Sequence, residues 1–213
     1  MRRNMWAAFL AIGVSTGAAL AETVTVAALG DSLTQGYGLP VDEGFVPQME
    51  AWLQGQGLDV EVINAGVSGD TTQGGLSRVA WTLTPEVDAM IVALGGNDLL
   101  RGIPPEVSRA NLDGILAAGR EAGVEMLLIG MEAPGNYGPD FKAAFDAMYP
   151  ELAQAYDVPL YDSFFAAFEG EADVPAELGA FIQPDGIHPS AQGVERIVAA
   201  MGPAVADLVD RAD

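Results

Sequence analysis

The sequence predicts a single α/β domain built on a parallel sheet that helices cover on both faces. Short apolar runs alternate along the chain with segments whose apolar residues recur every three to four positions, which is the period of an amphipathic helix. The short runs are apolar almost throughout, as in parallel strands that are buried on both faces. The length of 213 residues fits one domain, and half of the residues are hydrophobic, so the chain can fill a core.

Five of the apolar runs are predicted to be strands, because each is short and stops at glycine or at a polar turn. In chain order they are residues 23–29, 60–63, 89–94, 126–131 and 159–161. The first is a β-branched run that stops at Gly30, and the third is closed by Gly95 and Gly96. Strands separated by helices return in the same direction, so the sheet is expected to be parallel.

Five helices are predicted in the intervals between and after these strands. The residues that mark them are Phe45, Met49, Trp52 and Leu53; a short segment at 72–79; Val107, Leu112, Ile115 and Leu116; Phe141, Phe145 and Met148; and Val194, Ile197, Val198, Met201 and Val205. Pro104 and Pro105 open the third helix, and Ser190 can cap the last one. No repeat or linker interrupts the pattern, so residues 22–213 form one predicted domain.

Residues 1–21 are predicted to be an export signal peptide. Arg2 and Arg3 form a basic start, residues 5–14 are apolar, and Ala19-Leu20-Ala21 matches a small-residue cleavage site. The alternative is an uncleaved membrane anchor, which the small and polar residues after the apolar stretch weaken. Cleavage near Ala21 predicts a periplasmic or secreted protein without a stable membrane anchor.

Charge and composition exclude several classes of function. There are 30 acidic against 9 basic residues, a formal net charge of −21, whereas nucleic-acid binding needs a basic patch. The chain has no cysteine and one histidine, so thiolate nucleophiles, cysteine-ligated zinc and two-histidine metal motifs are excluded. We expect no nucleic-acid partner, metal or cofactor. The protein is also expected to be a monomer that acts on a small-molecule substrate.

Ligands of open α/β sheets bind beyond the carboxyl ends of the strands. Polar and glycine-rich blocks follow the first three predicted strands, and a fourth block near the carboxyl terminus contains the one histidine. The blocks are Gly30-Asp31-Ser32-Leu33-Thr34, Asn64-Ala65-Gly66-Val67-Ser68-Gly69-Asp70-Thr71, Gly95-Gly96-Asn97-Asp98 and Asp185-Gly186-Ile187-His188-Pro189. Each block alone is a weak signal, but their order and their places at strand ends together indicate an active site.

These residue types can perform nucleophilic catalysis. A serine hydroxyl such as that of Ser32 needs a base within hydrogen-bond reach, and His188 is the one imidazole available. Asp185, three residues earlier, can bind the other ring nitrogen of His188 and stabilise the imidazolium. The backbone N–H groups of Ser32 and Gly69 and the side-chain amide of Asn97 are candidate donors to an oxyanion.

Structural roles are also open for these residues. His188 could tether the last helix, Asn97 and Asp98 could close a turn after a strand, and Gly69 could begin a helix. Asp31 is interpreted as a turn residue without a role in proton transfer. Ser68 and Ser163 are competing serines, but neither lies in a G-x-S-x-G turn, which argues against the α/β-hydrolase plan.

At the four blocks the sequence resembles the SGNH hydrolases, the GDSL esterase/lipase superfamily, over nearly the whole predicted domain. It is most similar to the exported bacterial branch of acyl-CoA thioesterases, arylesterases and lysophospholipases. A further motif shared with that branch is Pro134-Gly135-Asn136-Tyr137-Gly138. The resemblance implies a flavodoxin-like three-layer α/β/α sandwich with a five-stranded parallel sheet. It also implies Ser32 as nucleophile, Gly69 and Asn97 as oxyanion donors, and Asp185 with His188 as the rest of a triad.

Neighbouring residues bear on the oxyanion donor and on the substrate. Gly66 is the nearest rival to Gly69, which is preferred because the family's donor lies in the Ser-Gly-Asp stretch. Leu39, Pro134 and Tyr137 are predicted to contact substrate, since the segments expected at the rim are apolar and suit an acyl or aryl group. The function expected is a serine esterase acting on aryl esters, short to medium acyl esters, acyl-CoA and lysophospholipids. The alternatives are a carbohydrate acetylesterase and a non-catalytic exported binding domain.

Overall fold

A computed structural model of the chain describes residues 23–168 and 179–213, so the predicted signal peptide lies outside the described residues. Five strands form one parallel sheet in the order β2-β1-β3-β4-β5. They are β1 Val24–Gly30, β2 Val60–Gly66, β3 Ala89–Ala93, β4 Glu125–Ile129 and β5 Leu160–Tyr161. This order is the flavodoxin-like one, so the predicted fold class is confirmed.

Helices flank the sheet on both sides. They are α1 Ser32–Gln35, α2 Phe45–Gly55, α3 Thr72–Thr82, α4 Gly96–Arg101, α5 Pro105–Ala122, α6 Pro139–Tyr156 and α7 Ala191–Ala212. Short 3-10 turns lie at Val41–Glu43, Gly135–Tyr137 and Ala166–Phe168. The Ser190 hydroxyl accepts a hydrogen bond from the Gly193 N–H and caps α7, as its sequence position predicts.

Alternating strand residues build two cores, one on each face of the sheet. In β1, Val26 and Ala28 face one core, which α2 and α7 cover. Ala27 and Leu29 face the other, which α3, α5 and α6 cover. The sheet is therefore the middle layer of three, and the loops after its strands are left free at one edge.

The second strand is longer than predicted and is not buried on both faces. It runs to Gly66 rather than to residue 63, because residues 64–66 pair in parallel register with Ala28, Leu29 and Gly30. Strand pairing outweighs the low strand propensity of asparagine and glycine here. Its side chains alternate between buried and exposed in the first half, with Ile63 exposed, since β2 is an edge strand.

Two short helices next to the site, α1 and α4, were not predicted. They have four and six residues, which is too short for a helical period to show in the sequence. The Asp31 side chain caps α1 by accepting from the Leu33 N–H, and Gly36 ends the helix at a left-handed φ of 84°. One residue separates the end of β1 from the start of α1, and two residues separate the end of β3 from the start of α4.

Candidate active site

The four predicted blocks meet at the carboxyl edge of the sheet, around a cleft of about 560 Å³. Ser32, Gly69, Asn97, Asp185 and His188 all line this cleft. The first three follow β1, β2 and β3, and the last two lie in the turn that precedes α7. The topology therefore brings together residues that are far apart in the chain.

Ser32 is the first residue of α1 and is nearly buried. The chain turns from β1 into α1 over only two residues, which needs glycine at position 30. A Cβ on Gly30 would lie 2.0 Å from Thr34 Oγ1 and 3.0 Å from the Ala93 carbonyl oxygen. Because Ser32 begins a helix, its backbone N–H has no acceptor within the helix.

A hydrogen-bonded relay joins Ser32, His188 and Asp185. Ser32 Oγ lies 2.9 Å from His188 Nε2, and His188 Nδ1 lies 2.6 Å from Asp185 Oδ2. Asp185 Oδ1 also accepts from the backbone N–H groups of Ile187 and His188. The His188 ring bond, followed by the two backbone bonds, lowers the pKa of Asp185 from 3.8 to about 2. Asp185 is therefore ionised at neutral pH.

Gly69 lies in the loop after β2 with a left-handed φ of 81°, a conformation that favours glycine. Arg101 Nη2 donates to the Gly69 carbonyl at 2.7 Å, and Arg78 forms a 2.6 Å ion pair with Asp70. The rival glycine, Gly66, pairs in β2, and its N–H donates to Asn64 Oδ1 at 3.0 Å. Of these two glycines, Gly69 is the one that lines the cleft.

Asn97 lies in α4, and its side-chain amide donates to Asp31 Oδ2 at 3.2 Å. Asp31 is only 2% exposed, and burial raises its pKa from 3.8 to about 6, against the opposing hydrogen bonds from Leu33 and Asn97. Asp31 is thus more than the turn residue that the sequence suggested, because it caps α1 and orients the Asn97 amide. The carboxylate next to a candidate nucleophile was visible in the sequence, but its partner was not.

Asp98 is a second residue whose role the sequence did not reveal. It is completely buried and accepts hydrogen bonds from the Thr72 N–H, the Thr72 hydroxyl and the Ser108 hydroxyl. It thereby fixes the starts of α3 and α4 and the first turns of α5 to one another. The loop of Gly69 leads into the start of α3, and Asn97 lies in the first turn of α4.

The competing serines occupy other environments. Ser68 lines the cleft, but the hydroxyl that the His188 ring contacts belongs to Ser32. Ser163 is buried, and its hydroxyl accepts from the Phe165 N–H. The structure therefore pairs the imidazole with Ser32.

Two of the three residues predicted to contact substrate line the cleft. Pro134 and Tyr137 are at its wall, together with Leu99, Leu100, Met131 and Phe165. Leu39 is not among the described residues that line it, and packs instead against the core under α2 and α7. The apolar character of Leu39 alone could not decide between the cleft and the core.

The described residues contain no group of three or more histidine, cysteine, aspartate or glutamate side chains that could hold a metal ion. The arrangement at the cleft is suited to proton transfer instead. His188 Nε2 can accept the proton of Ser32 while the ionised Asp185 stabilises the imidazolium. Gly69 and Asn97, the other candidate oxyanion donors, line the same cleft as Ser32.

Comparisons with known proteins identify the family of the chain. The GDSL-like Lipase/Acylhydrolase family matches residues 28–196. Esterase TesA from Pseudomonas aeruginosa is 34% identical over 210 residues, which is 98% of this chain and all of that protein. Thioesterase 1/protease 1/lysophospholipase L1 from Escherichia coli K12 is 37% identical over 174 residues, 81% of this chain and 78% of that protein.

A solved structure is similar over most of the chain. AlinE4, described as an SGNH-hydrolase family esterase, is 42% identical, with a TM-score of 0.71 over 89% of this chain and 98% of its own. The similarity in sequence and in fold thus extends across all four blocks of the cleft. This chain therefore belongs to the GDSL-like lipase/acylhydrolase family, the SGNH hydrolases, and is a carboxylic ester hydrolase.

Proposed function

We propose that the protein is a serine esterase that hydrolyses carboxylic esters and thioesters through an acyl-enzyme on Ser32. The observation that carries the proposal is the relay of short hydrogen bonds, 2.9 Å from Ser32 Oγ to His188 Nε2 and 2.6 Å from His188 Nδ1 to Asp185 Oδ2. A hydroxyl that shares its proton with an oriented imidazole is an activated nucleophile.

Acylation uses these groups in turn. Ser32 Oγ attacks the carbonyl carbon while His188 Nε2 takes the hydroxyl proton, so a tetrahedral oxyanion forms. The C–O or C–S bond then breaks, and His188 gives the proton to the departing alcohol or thiol. Asp185 stays ionised throughout and stabilises the transient imidazolium.

Deacylation repeats the steps with water. His188 accepts a proton from water, whose oxygen attacks the acyl carbon, and the Ser32 oxygen leaves with the proton that His188 returns. The backbone N–H groups of Ser32 and Gly69 and the Asn97 amide donate to the oxyanion in both halves. Each such donor is worth on the order of 3 kcal/mol in the transition state.

The cleft wall supports an acyl or aryl substrate. Leu99, Leu100, Met131, Pro134, Tyr137 and Phe165 present mainly apolar surface, which suits an acyl chain better than a sugar. Relatives named as an arylesterase and as a thioesterase and lysophospholipase support extending the range to aryl esters, acyl-CoA and lysophospholipids. The same wall makes a carbohydrate acetylesterase the weaker alternative.

We place this activity in the periplasm or outside the cell, after cleavage near Ala21. The support is the basic and apolar leader at 1–21. Within residues 23–168 and 179–213, no helix combines the length and the apolarity needed to cross a bilayer.

The test compares substrates and two serine variants. Hydrolysis of p-nitrophenyl acetate, butyrate and octanoate, lysophosphatidylcholine and acetylated xylan is measured, and activity is expected on the first four. Ser32→Ala should lose nearly all of this esterase activity. Ser68→Ala, which alters another serine of the cleft, should retain most of the activity. Inactivity of Ser68→Ala with an active Ser32→Ala would refute the assignment, and xylan as the best substrate would favour the acetylesterase.

A further inference from the structure

The turn that holds Asp185 and His188 lies at the surface. Residues 184–187 are all exposed, and His188 is separated from Ser32 by 156 positions in the sequence. Burial in the core therefore does not hold the tip of this turn in place. A bond of 2.9 Å between Ser32 and His188 nevertheless needs their backbones to be held at a constant separation.

The side chain of Gln183 spans the gap between the two segments. Gln183 Nε2 donates to the Tyr37 carbonyl at 2.8 Å and to the Pro189 carbonyl at 2.9 Å, while its backbone N–H donates to the His188 carbonyl at 2.7 Å. The Tyr37 N–H in turn donates to the Ser32 carbonyl at 3.1 Å. Three hydrogen bonds thus lead from the backbone of Ser32 through Tyr37 and Gln183 to the backbone of His188.

The Tyr37 ring adds a contact to the imidazole itself. Its centroid lies 4.6 Å from that of the His188 ring, with the planes tilted by 38°. Such a distance is within the range of attractive ring pairs. Tyr37 is half-exposed, so its ring separates one face of the imidazole from solvent.

The backbone next to Tyr37 leaves room for the glutamine. Gly38 has a left-handed φ of 79°, and a Cβ there would lie 2.3 Å from Gln183 Oε1. Glycine at this position therefore permits both the turn and the approach of the Gln183 amide. The two segments fit each other at this point.

We infer that Gln183 is a positioning residue, which together with the Tyr37 ring sets the His188 imidazole against Ser32 and Asp185. Its catalytic consequence rests on the proposed function. The reaction needs the imidazole within hydrogen-bond reach of the nucleophile, and a misplacement of about 1 Å can cost on the order of 10²-fold in rate.

Kinetics of Gln183 variants test the inference. Gln183→Leu should lower kcat by about 10- to 100-fold with KM changed less than about two-fold, since the lost bonds touch no substrate. Gln183→Glu keeps the shape but places a carboxylate against two carbonyl oxygens, so it should be at least as damaging. A wild-type kcat in Gln183→Glu would show that the shape of the side chain suffices without its donated hydrogen bonds, and would overturn the inference.

Gln48 offers a matched control. Its amide bridges the Glu43 and Ala191 carbonyls, at 2.7 and 3.3 Å, and so links neighbouring stretches of the same two segments without contacting His188. Gln48→Leu should keep kcat within about two-fold of the wild type. Equal losses in Gln48→Leu and Gln183→Leu, or no loss in either, would overturn the inference.

A spectroscopic measurement reports positioning without activity. His188 is the one histidine in the sequence, so ¹³C-histidine labelling gives a single set of ring signals. The Tyr37 ring should displace these signals upfield. Tyr37→Phe should keep the displacement, Tyr37→Leu should remove it, and Gln183→Leu should reduce or broaden it.

Ring signals in folded Gln183→Leu that match the wild type would overturn the inference. If the wild-type protein hydrolyses no ester, the proposed function is refuted. The ring signals would still test whether Gln183 positions His188.

Discussion

Asn97 carries a proposed oxyanion donor on a side chain that a buried carboxylate holds. One amide hydrogen of Asn97 is directed to Asp31 Oδ2, so the other is available for the proposed bond to the oxyanion. A neutral residue that is rigidly oriented can stabilise charge in the transition state without first reorganising. Asp31 and Asn97 therefore act as one unit, although β1 and β3 bring them from different parts of the chain.

Removing this donor should affect the chemical step. Asn97→Ala is expected to lower kcat by roughly 10²- to 10³-fold with little change in KM, because the bond strengthens only in the transition state. Asn136→Ala is the matched control, since Asn136 also lines the cleft. Steady-state kinetics on p-nitrophenyl butyrate distinguish the two, and a loss confined to KM would make Asn97 a substrate-binding residue instead.

Asp31 should make stability depend on pH. Its pKa is raised from 3.8 to about 6, so the folded protein holds a proton there that the unfolded chain releases. Its contribution to the free energy of unfolding therefore falls as pH rises from about 4 to 6, by up to about 3 kcal/mol. Asp31→Asn cannot titrate, so its stability relative to the wild type should increase over this interval.

Urea unfolding of both proteins between pH 4 and 8 measures this difference. Asp185 is a useful contrast, because the bond from His188 lowers its pKa to about 2. The contribution of Asp185 to the free energy of unfolding is present above about pH 4 and is lost as pH falls towards 2. A wild-type to Asp31→Asn difference that stays constant from pH 4 to 7 would contradict the raised pKa of Asp31.

Among the secondary-structure elements, the starts of three helices are joined beneath the site. Asp98 in α4 accepts from Thr72 at the start of α3 and from Ser108 in α5, and Asn111 of α5 donates to the Thr72 hydroxyl. This buried network ties the start of α3, which follows the loop of Gly69, to α4, which contains Asn97. The loop between β3 and α4 is equally constrained, since a Cβ on Gly95 would lie 2.1 Å from the Tyr149 hydroxyl oxygen.

Weakening the network should destabilise the fold. Asp98→Asn keeps the size but loses the charge that three donors face, so a loss of about 1–3 kcal/mol in the free energy of unfolding is expected. Ser108→Ala removes a single donor and should cost about 1 kcal/mol. Urea unfolding at pH 7 measures both, and an Asp98→Asn protein as stable as the wild type would show that the charge is not needed.

For the molecule as a whole, the negative charge is the dominant feature. Loss of Arg2 and Arg3 with the predicted leader moves the formal net charge from −21 to −23. Clefts focus the field of such a protein, which should oppose a substrate with several phosphates. Two arginines lie near the cleft, but Arg78 is paired with Asp70, while the exposed Arg101 donates to the Gly69 carbonyl at the rim.

Salt should therefore change the preference between substrates of different charge. With the same acyl group in both, the ratio of kcat/KM for butanoyl-CoA to that for p-nitrophenyl butyrate should rise between about 0.02 and 0.5 M NaCl. The reason is that the Debye length shortens from about 10 Å at 0.1 M to about 3 Å at 1 M. A ratio that stays flat or falls with salt would show that Arg101 determines the sign of the electrostatic potential at the cleft. In that case the ratio measured with Arg101→Gln should rise with salt.

Sequence patterns predicted the class of fold and the four blocks that meet at the cleft, whereas Leu39, which was also predicted there, does not line it. Apolar periodicity located all five strands and the longer helices, because burial of those residues dominates the free energy of folding. In a parallel sheet the loops after successive strands lie at one edge, which brought Ser32, Gly69 and Asn97 together.

The contacts between segments became visible only in the folded arrangement. The extension of β2 to Gly66 depends on pairing with β1, and the partners of Asp31, Asp98 and Gln183 come from distant positions in the chain. The packing of Leu39 against the core, rather than at the cleft, depends equally on the three-dimensional arrangement. Local pattern reports which face of an element is buried, whereas a hydrogen bond between loops depends on the full arrangement of the layers.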